Sequence, residues 1–194
     1  MKTEKEIKII ESNINTYLKD GLIKKGNYGN LTEFYLKTAK KTLQTADILL
    51  QISENNEIKK KLGLLDNFET YIWVITTSYY SMFYVINALF SQNGIKVGDK
   101  IAHKVSVDTF YYYFIKNNRI AKELFNLYEE VKDQAMDLIR YSEEAEKLFQ
   151  DLEYEREKRH KFQYEMTENI KKSYALTSLK RAKDFVGEIE SLIK

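Results

Sequence analysis

FETYIWVITTSYYSMFYVINALF, residues 68–90, is apolar on nearly every side. A helix of that kind belongs at the centre of a bundle, because no face of it gains from meeting water. Only small polar residues, Ser78, Ser81 and Asn87, interrupt it, and Gly94 supplies the stop, since glycine takes the left-handed backbone of a helix end without a Cβ penalty. Upstream, Asp66 and Glu69 have the form of a capping box, an oxygen followed three residues later by a carboxylate, so the helix is expected to open there.

Working outward, the flanking segments read as helices that would wrap this centre. Ile7, Ile10, Ile14 and Leu18 recur at helical spacing over about residues 3–19. GLIKKGNYGN, with Gly21, Gly26 and Gly29, then breaks the chain into a loop. Thr32 is placed to cap a second helix striped by Leu36, Ala39, Leu43, Ala46 and Leu50, which ends near Ser53. A shorter helix is expected over 102–116, carrying Val105, Thr109 and Tyr112/Tyr113 inward. From Ile120, the residues Leu124, Tyr128, Val131, Ala135 and Leu138 alternate steps of three and four, the mark of lengthwise bundle packing. Ser142 would cap a continuation through Ala145, Phe149 and Leu152. Thr167 would open the last helix, striped by Ala175, Leu179, Ala182, Val186, Ile189 and Ile193. No strand-like alternation and no internal repeat is evident, so the expected fold is all-α, a helical bundle.

Composition narrows the function. The 194 residues contain no proline and seven glycines, which favours long uninterrupted helices, and 15 tyrosines with 10 phenylalanines point to a core of large rings. With no cysteine, thiol nucleophiles, disulfides and thiolate zinc sites are excluded. No apolar run approaches the roughly 20 residues of a membrane span, so a cytoplasmic protein without a membrane partner is expected. Thirty-one basic residues against 29 acidic ones leave a formal charge of +2, so any nucleic-acid site must be a local patch.

One such patch is YEREKRHKFQY, residues 154–164, which holds His160, one of two histidines in the chain. On a helix of residues 144–165, about 100° per residue puts Phe149, Leu152, Arg156, Arg159, His160 and Gln163 on one stripe. Two guanidiniums can grip a phosphate, and an imidazole that titrates near neutrality can take a proton from a ribose 2′-hydroxyl, which together suffice for RNA cleavage without a metal. Glu153, Glu155, Glu157 and Glu165 interleave with these bases at distances that permit intrahelical pairs, so a solvated salt-bridge face explains the charges equally well. His103, between Ala102 and Lys104, reads as a capping or packing histidine. Two histidines far apart, without a carboxylate motif, make no metal site.

Several stretches together resemble the small HEPN-domain proteins of archaea and bacteria. SYYSMFYVINALFSQNG, 78–94, is similar to that family's central helix; AHKVSVDTF, 102–110, is similar to the segment where the family places a histidine before a short apolar helix. REKRHKFQY with RAKDFVGEIESLI is similar to its last two helices, and the likeness spans roughly residues 32–193. The resemblance implies an up-and-down HEPN-like bundle over 31–194, preceded by an additional N-terminal helix and glycine-containing loop over 1–30. It implies a homodimer, a minimal nucleotidyltransferase as toxin–antitoxin partner, and no cofactor. Active members have an arginine, then four to six intervening residues, then a histidine. Here only three residues separate Arg156 from His160, and a one-residue change swings a side chain by about 100° around a helix. Phe162, Gln163 and Tyr164 stand where the family has Ala-Asp-Tyr, and Tyr164 is the candidate for modification by the partner.

Three functions are therefore expected in order. The first is nucleotide or RNA binding through Arg156, Arg159, His160 and Gln163, with RNase activity weak or absent. The second is metal-independent endoribonuclease activity with His160, Arg156 and Arg159 as catalytic residues. The third is a non-catalytic interaction protein that uses the rings of Tyr111, Tyr112 and Tyr113.

Overall fold

The computed structural model describes residues 2–117, 119–150 and 168–193. Among them the chain is all-α apart from one short ribbon. In order it forms α1 (Glu4–Lys19), β1 (Ile23–Lys25), a 3-10 turn (Gly29–Leu31), α2 (Thr32–Glu54), α3 (Asn56–Lys61) and α4 (Tyr71–Gln92). β2 (Ile95–Val97), α5 (Ala102–Phe110), a π turn (Tyr111–Ile115), α6 (Lys122–Gln150) and α7 (Glu168–Leu192) follow.

α4 is the centre of a helical bundle, as its composition requires. Fifteen of its 22 residues are buried, and α2, α6 and α7 pack around it. The approach of α2 is permitted by Ala39 and Ala46, both fully buried, while Leu36, Leu43 and Leu50 flank them half-buried. α7 buries Ala175, Leu179, Ala182, Val186 and Ile189 of the stripe expected from its spacing, while Ile193, also expected there, lies past the helix end and is half-buried. Tyr128, Val131 and Ala135 of α6 are fully buried, as expected. Between these helices the core is made of rings: Phe110 lies about 6 Å from Phe114, Phe125, Tyr128 and Phe185, and Tyr128 stacks on Phe185 at 5.7 Å.

α1 is opened by a capping box in which Thr3 Oγ1 accepts from Glu6 N at 3.3 Å and Glu6 Oε2 accepts from Thr3 N at 2.6 Å. It buries Ile10, Ile14 and Tyr17 against the core. A buried carboxylate ties it to α5: Asp108 Oδ2 accepts from Asn13 Nδ2 and from the Tyr17 hydroxyl, each at 3.0 Å. Burial, and then the charge of Asp108, push Tyr17 up to about 12.

Several boundaries depart from expectation, each for an identifiable reason. The loop after α1 is partly a strand: β1 pairs antiparallel with β2 in the register Ile23↔Val97, Lys24↔Lys96, Lys25↔Ile95. Three residues are too few for an alternation to be read, and the partner strand lies more than 70 positions away. Thr32 does not cap α2; its hydroxyl pairs with Ser91 Oγ at 3.2 Å instead. Asp66 does not cap α4 either. The helix opens at Tyr71, whose N–H donates to Glu69 Oε2 at 2.8 Å, and the Asp66 carbonyl accepts from the buried Lys59 ammonium at 2.9 Å. Asn55 caps α3, a short helix within the polar run after α2, by accepting from Glu57 N and Ile58 N. α6 runs through Ser142 without a break.

The helix expected over 102–116 ends at Phe110 and widens into the π turn, which inserts residues relative to the α-helical period and rotates the face. Val105 and Thr109 do face inward, but Tyr111, Phe114 and Ile115 are buried and Tyr112 and Tyr113 are left half-exposed. Gly94 is the stop it was expected to be: its φ is 69°, and a Cβ there would meet the Gly26 carbonyl oxygen at 2.7 Å.

Candidate functional site

Arg156, Arg159, His160, Gln163 and Tyr164 lie outside the described residues. The functional geometry among the described residues gathers around the other histidine.

His103 is the second residue of α5. The residue before that helix, Ile101, has φ 45°, a left-handed conformation that is an outlier for a β-branched side chain, and it leaves Ile101 exposed. His103 does not cap the helix; it packs. Its ring lies 4.8 Å from Phe83, 5.4 Å from Tyr79 and 5.6 Å from Tyr80, all on α4. Nδ1 is 2.6 Å from the Tyr79 hydroxyl.

Protonation follows from burial. Tyr79 is fully buried, and desolvation, with Tyr80 and Asp133 adding to it, holds its hydroxyl well above the ordinary tyrosine range. It therefore keeps its proton and donates to Nδ1. Burial also lowers the pKa of His103, so the ring is neutral near pH 7 and carries its own proton on Nε2. Among the described residues nothing hydrogen-bonds to Nε2. Behind Tyr79 stands the Tyr128 hydroxyl, wholly buried and held un-ionised by desolvation, with no aimed hydrogen bond of its own. The arrangement is a graded line from a dry interior, through Tyr128 and Tyr79, to a half-buried imidazole N–H.

The rings that meet that imidazole, Tyr79, Tyr80 and Phe83, belong to a longer row of aromatic residues along α4. Trp73, Tyr80 and Tyr84 recur at helical spacing on one face of α4; Trp73 is 63% exposed, and Tyr80, Phe83 and Tyr84 are half-buried. Tyr80 meets Phe83 edge-on, and Phe83 meets Tyr84 at 5.7 Å. Tyr35 of α2 joins them, its hydroxyl raised by burial and by the nearness of Asp99 and Tyr84. The exposed lysines Lys100 and Lys104 flank His103 in the chain.

This site was only half legible. Tyr79 and His103 fall in two of the stretches that carry the resemblance, 78–94 and 102–110, but nothing in the spacing joins them across 24 residues. A capping or packing role was expected for His103, and of the two the structure has packing.

At the start of α4, Glu54 accepts hydrogen bonds from the Tyr71 hydroxyl and the Lys172 ammonium. Desolvation pushes the Glu54 carboxyl up, but those two donors outweigh it and leave it below its ordinary value. Lys171 pairs with Glu69 at 3.6 Å, so this knot ties the starts of α4 and α7 to the end of α2. Its charges are spent on one another. Among the described residues no group of three histidines, aspartates or glutamates could hold a metal, and no helix is long and apolar enough to cross a membrane.

Compared with models of protein families, with curated proteins and with solved structures, the chain matches none.

Proposed function

We propose that the chain is a HEPN-like protein that binds RNA or a nucleotide, acts as a homodimer with a minimal nucleotidyltransferase as partner, and has weak or no RNase activity. The observation that carries the binding reading is the imidazole of His103, fixed by Tyr79 as a neutral Nε2–H donor beside a row of partly exposed rings. Rings offer stacking surface to any base, and a neutral N–H donor pairs with a base acceptor or a phosphate oxygen. The same geometry argues against catalysis at His103. A general base in ribose 2′-hydroxyl chemistry needs a pKa near the operating pH, whereas burial depresses this one, and among the described residues no guanidinium or carboxylate hydrogen-bonds to it.

The up-and-down helix order and the dimer are parts of this proposal that rest on the resemblance of residues 32–193. Cleavage by His160 with Arg156 and Arg159 is the competing reading, and the shortened spacing between arginine and histidine weighs against it.

Two measurements test the proposal. Trp73 is the only tryptophan and lies two turns before Tyr80 on the same face of α4, so titration with AMP or a short RNA that covers these rings is expected to quench its fluorescence, and His103→Ala is expected to weaken the response at least tenfold. Incubation of a labelled structured RNA with the protein in EDTA is expected to leave it intact. Cleavage that yields 2′,3′-cyclic phosphate ends and disappears in His160→Ala would establish the endoribonuclease reading instead. A flat titration with intact RNA would leave the third expectation, an interaction protein, for which Tyr112 and Tyr113 remain half-exposed while Tyr111 is buried.

A further inference from the structure

The ribbon of β1 and β2 carries an arrangement that costs stability. Its register puts Lys24 directly opposite Lys96, both exposed, with Ile23 and Val97 buried at the neighbouring pair. Like charges directly opposite in an antiparallel pair repel. A single edge lysine would suffice to discourage pairing with another chain, so two facing each other exceed that need. Among the described residues no ion pair or side-chain hydrogen bond engages the ammonium of Lys24, Lys25 or Lys96.

What these ammoniums do meet is rings. Lys96 Nζ lies 6.0 Å from the centre of the Tyr28 ring, and Lys25 Nζ lies 5.1 Å from that of Tyr113. Tyr112 meets Tyr113 edge-on at 4.9 Å, and Lys116, which is paired with Glu11, lies 5.5 Å from the Tyr112 ring. All three tyrosines are half-buried, held by the fold with part of each ring outward. Residues 19–28 and 95–104 together hold six lysines and two aspartates, a local excess that the near-neutral total conceals.

From this we infer that the ribbon and the π turn form a second binding site for single-stranded nucleic acid, which would cross the ribbon from the side that carries Lys24 and Lys96 to the side where Lys25 meets Tyr113. Its phosphates lie on Lys24, Lys25 and Lys96 and its bases against Tyr28 and Tyr113. Phosphates between Lys24 and Lys96 would relieve their repulsion, and fixed rings beside unpaired ammoniums are the two components of a strand-binding groove. A duplex would offer the phosphates but not the ring faces. An anionic membrane would call for several protruding apolar side chains; only Ile101 among the large exposed ones of the described residues stands within 95–104, and others such as Phe34, Leu62, Leu65 and Trp73 lie elsewhere. The inference deepens the RNA reading above and rests on it for the class of ligand, but it uses none of the residues around His103.

The test is fluorescence anisotropy of the full chain with fluorescein-labelled 15-mers of uridine and of thymidine, a labelled duplex, and vesicles of neutral and anionic phosphatidyl lipids, each across a salt series. Three phosphate contacts on a single strand predict a slope of about −2 in log K against log salt. The triple variant Lys24→Gln/Lys25→Gln/Lys96→Gln is expected to bind the single strands at least tenfold more weakly, with the slope near zero. Tyr113→Leu is expected to weaken binding severalfold with the slope unchanged. The triple variant should melt no lower than the parent, because it removes a like-charge pair, so lost binding would not be lost folding. Unchanged affinity and slope in the triple variant, equal affinity for duplex, or binding to anionic vesicles alone would overturn the inference. His103→Ala is expected to leave the slope as it is; if His103→Ala abolishes strand binding while the triple variant does not, the ribbon site falls and the His103 reading stands.

Discussion

Tyr79 is where a single hydroxyl sets the state of its neighbour. Its donation to Nδ1 favours the neutral imidazole, so Tyr79→Phe is expected to raise the pKa of His103 toward 6.5, read from the ring protons by NMR, where only two histidines contribute. Loss of the bond is expected to cost about 1–2 kcal/mol in urea unfolding, because Nδ1 is left half-buried without a donor. The folded pKa of His103 lies below its unfolded value, so the unfolded chain binds more protons as the pH falls past 6.5. The neutral ring's contribution to stability is therefore complete above pH 6.5 and is lost below it; denaturation at pH 8 and pH 5 checks this, with His103→Gln expected to flatten the difference. Asp108 is the other residue on which two distant groups depend. Asp108→Ala leaves the Tyr17 hydroxyl and the Asn13 amide without their acceptor and is expected to cost about 2–3 kcal/mol. Neither residue advertises its role in the sequence: Tyr79 is one of 15 tyrosines, and Asp108 reads as one more acid on a helix until its partners 91 and 95 positions away are known.

At the scale of the element, helix faces were read well and helix ends poorly. The faces of α2 and α7 follow from a period that each segment carries within itself, and every residue of the two stripes is buried or half-buried. The ends depend on which oxygen wins the first-turn N–H groups. At α4 the Tyr71 N–H goes to Glu69 and not to Asp66, whose backbone carbonyl accepts from Lys59. Glycines show the same division. Gly94 and Gly63 share a left-handed backbone, φ 69° and 68°, but a Cβ on Gly63 would meet nothing within 4 Å while one on Gly94 would strike the Gly26 carbonyl. Gly63→Ala is expected to cost about 1 kcal/mol from backbone strain alone, and Gly94→Ala to cost at least twice that, because it also forces β1 away from β2. Thermal or urea unfolding of the pair separates the two contributions.

For the whole molecule, the question is what holds the parts as one body. The first helix buries Ile10, Ile14 and Tyr17 in the common core and supplies both donors to Asp108. Deletion of residues 1–20 is expected to abolish a single cooperative urea transition, since it uncovers that core and strands a buried carboxylate; a sharp transition with an unchanged midpoint would show that the remainder stands alone. What the sequence determined by itself was the all-α class, the central place of residues 68–90 and the inward stripes of the helices that surround it. These rest on hydrophobic periodicity, which acts between residues three and four apart. What only the tertiary structure decided was the pairing of β1 with β2, the carboxylate bridge from α1 to α5, and the meeting of Tyr79 with His103 among the rings. Those contacts join residues 24 to 95 positions apart, and chain closure over such distances is fixed by how whole helices pack, not by any pattern a local segment can carry.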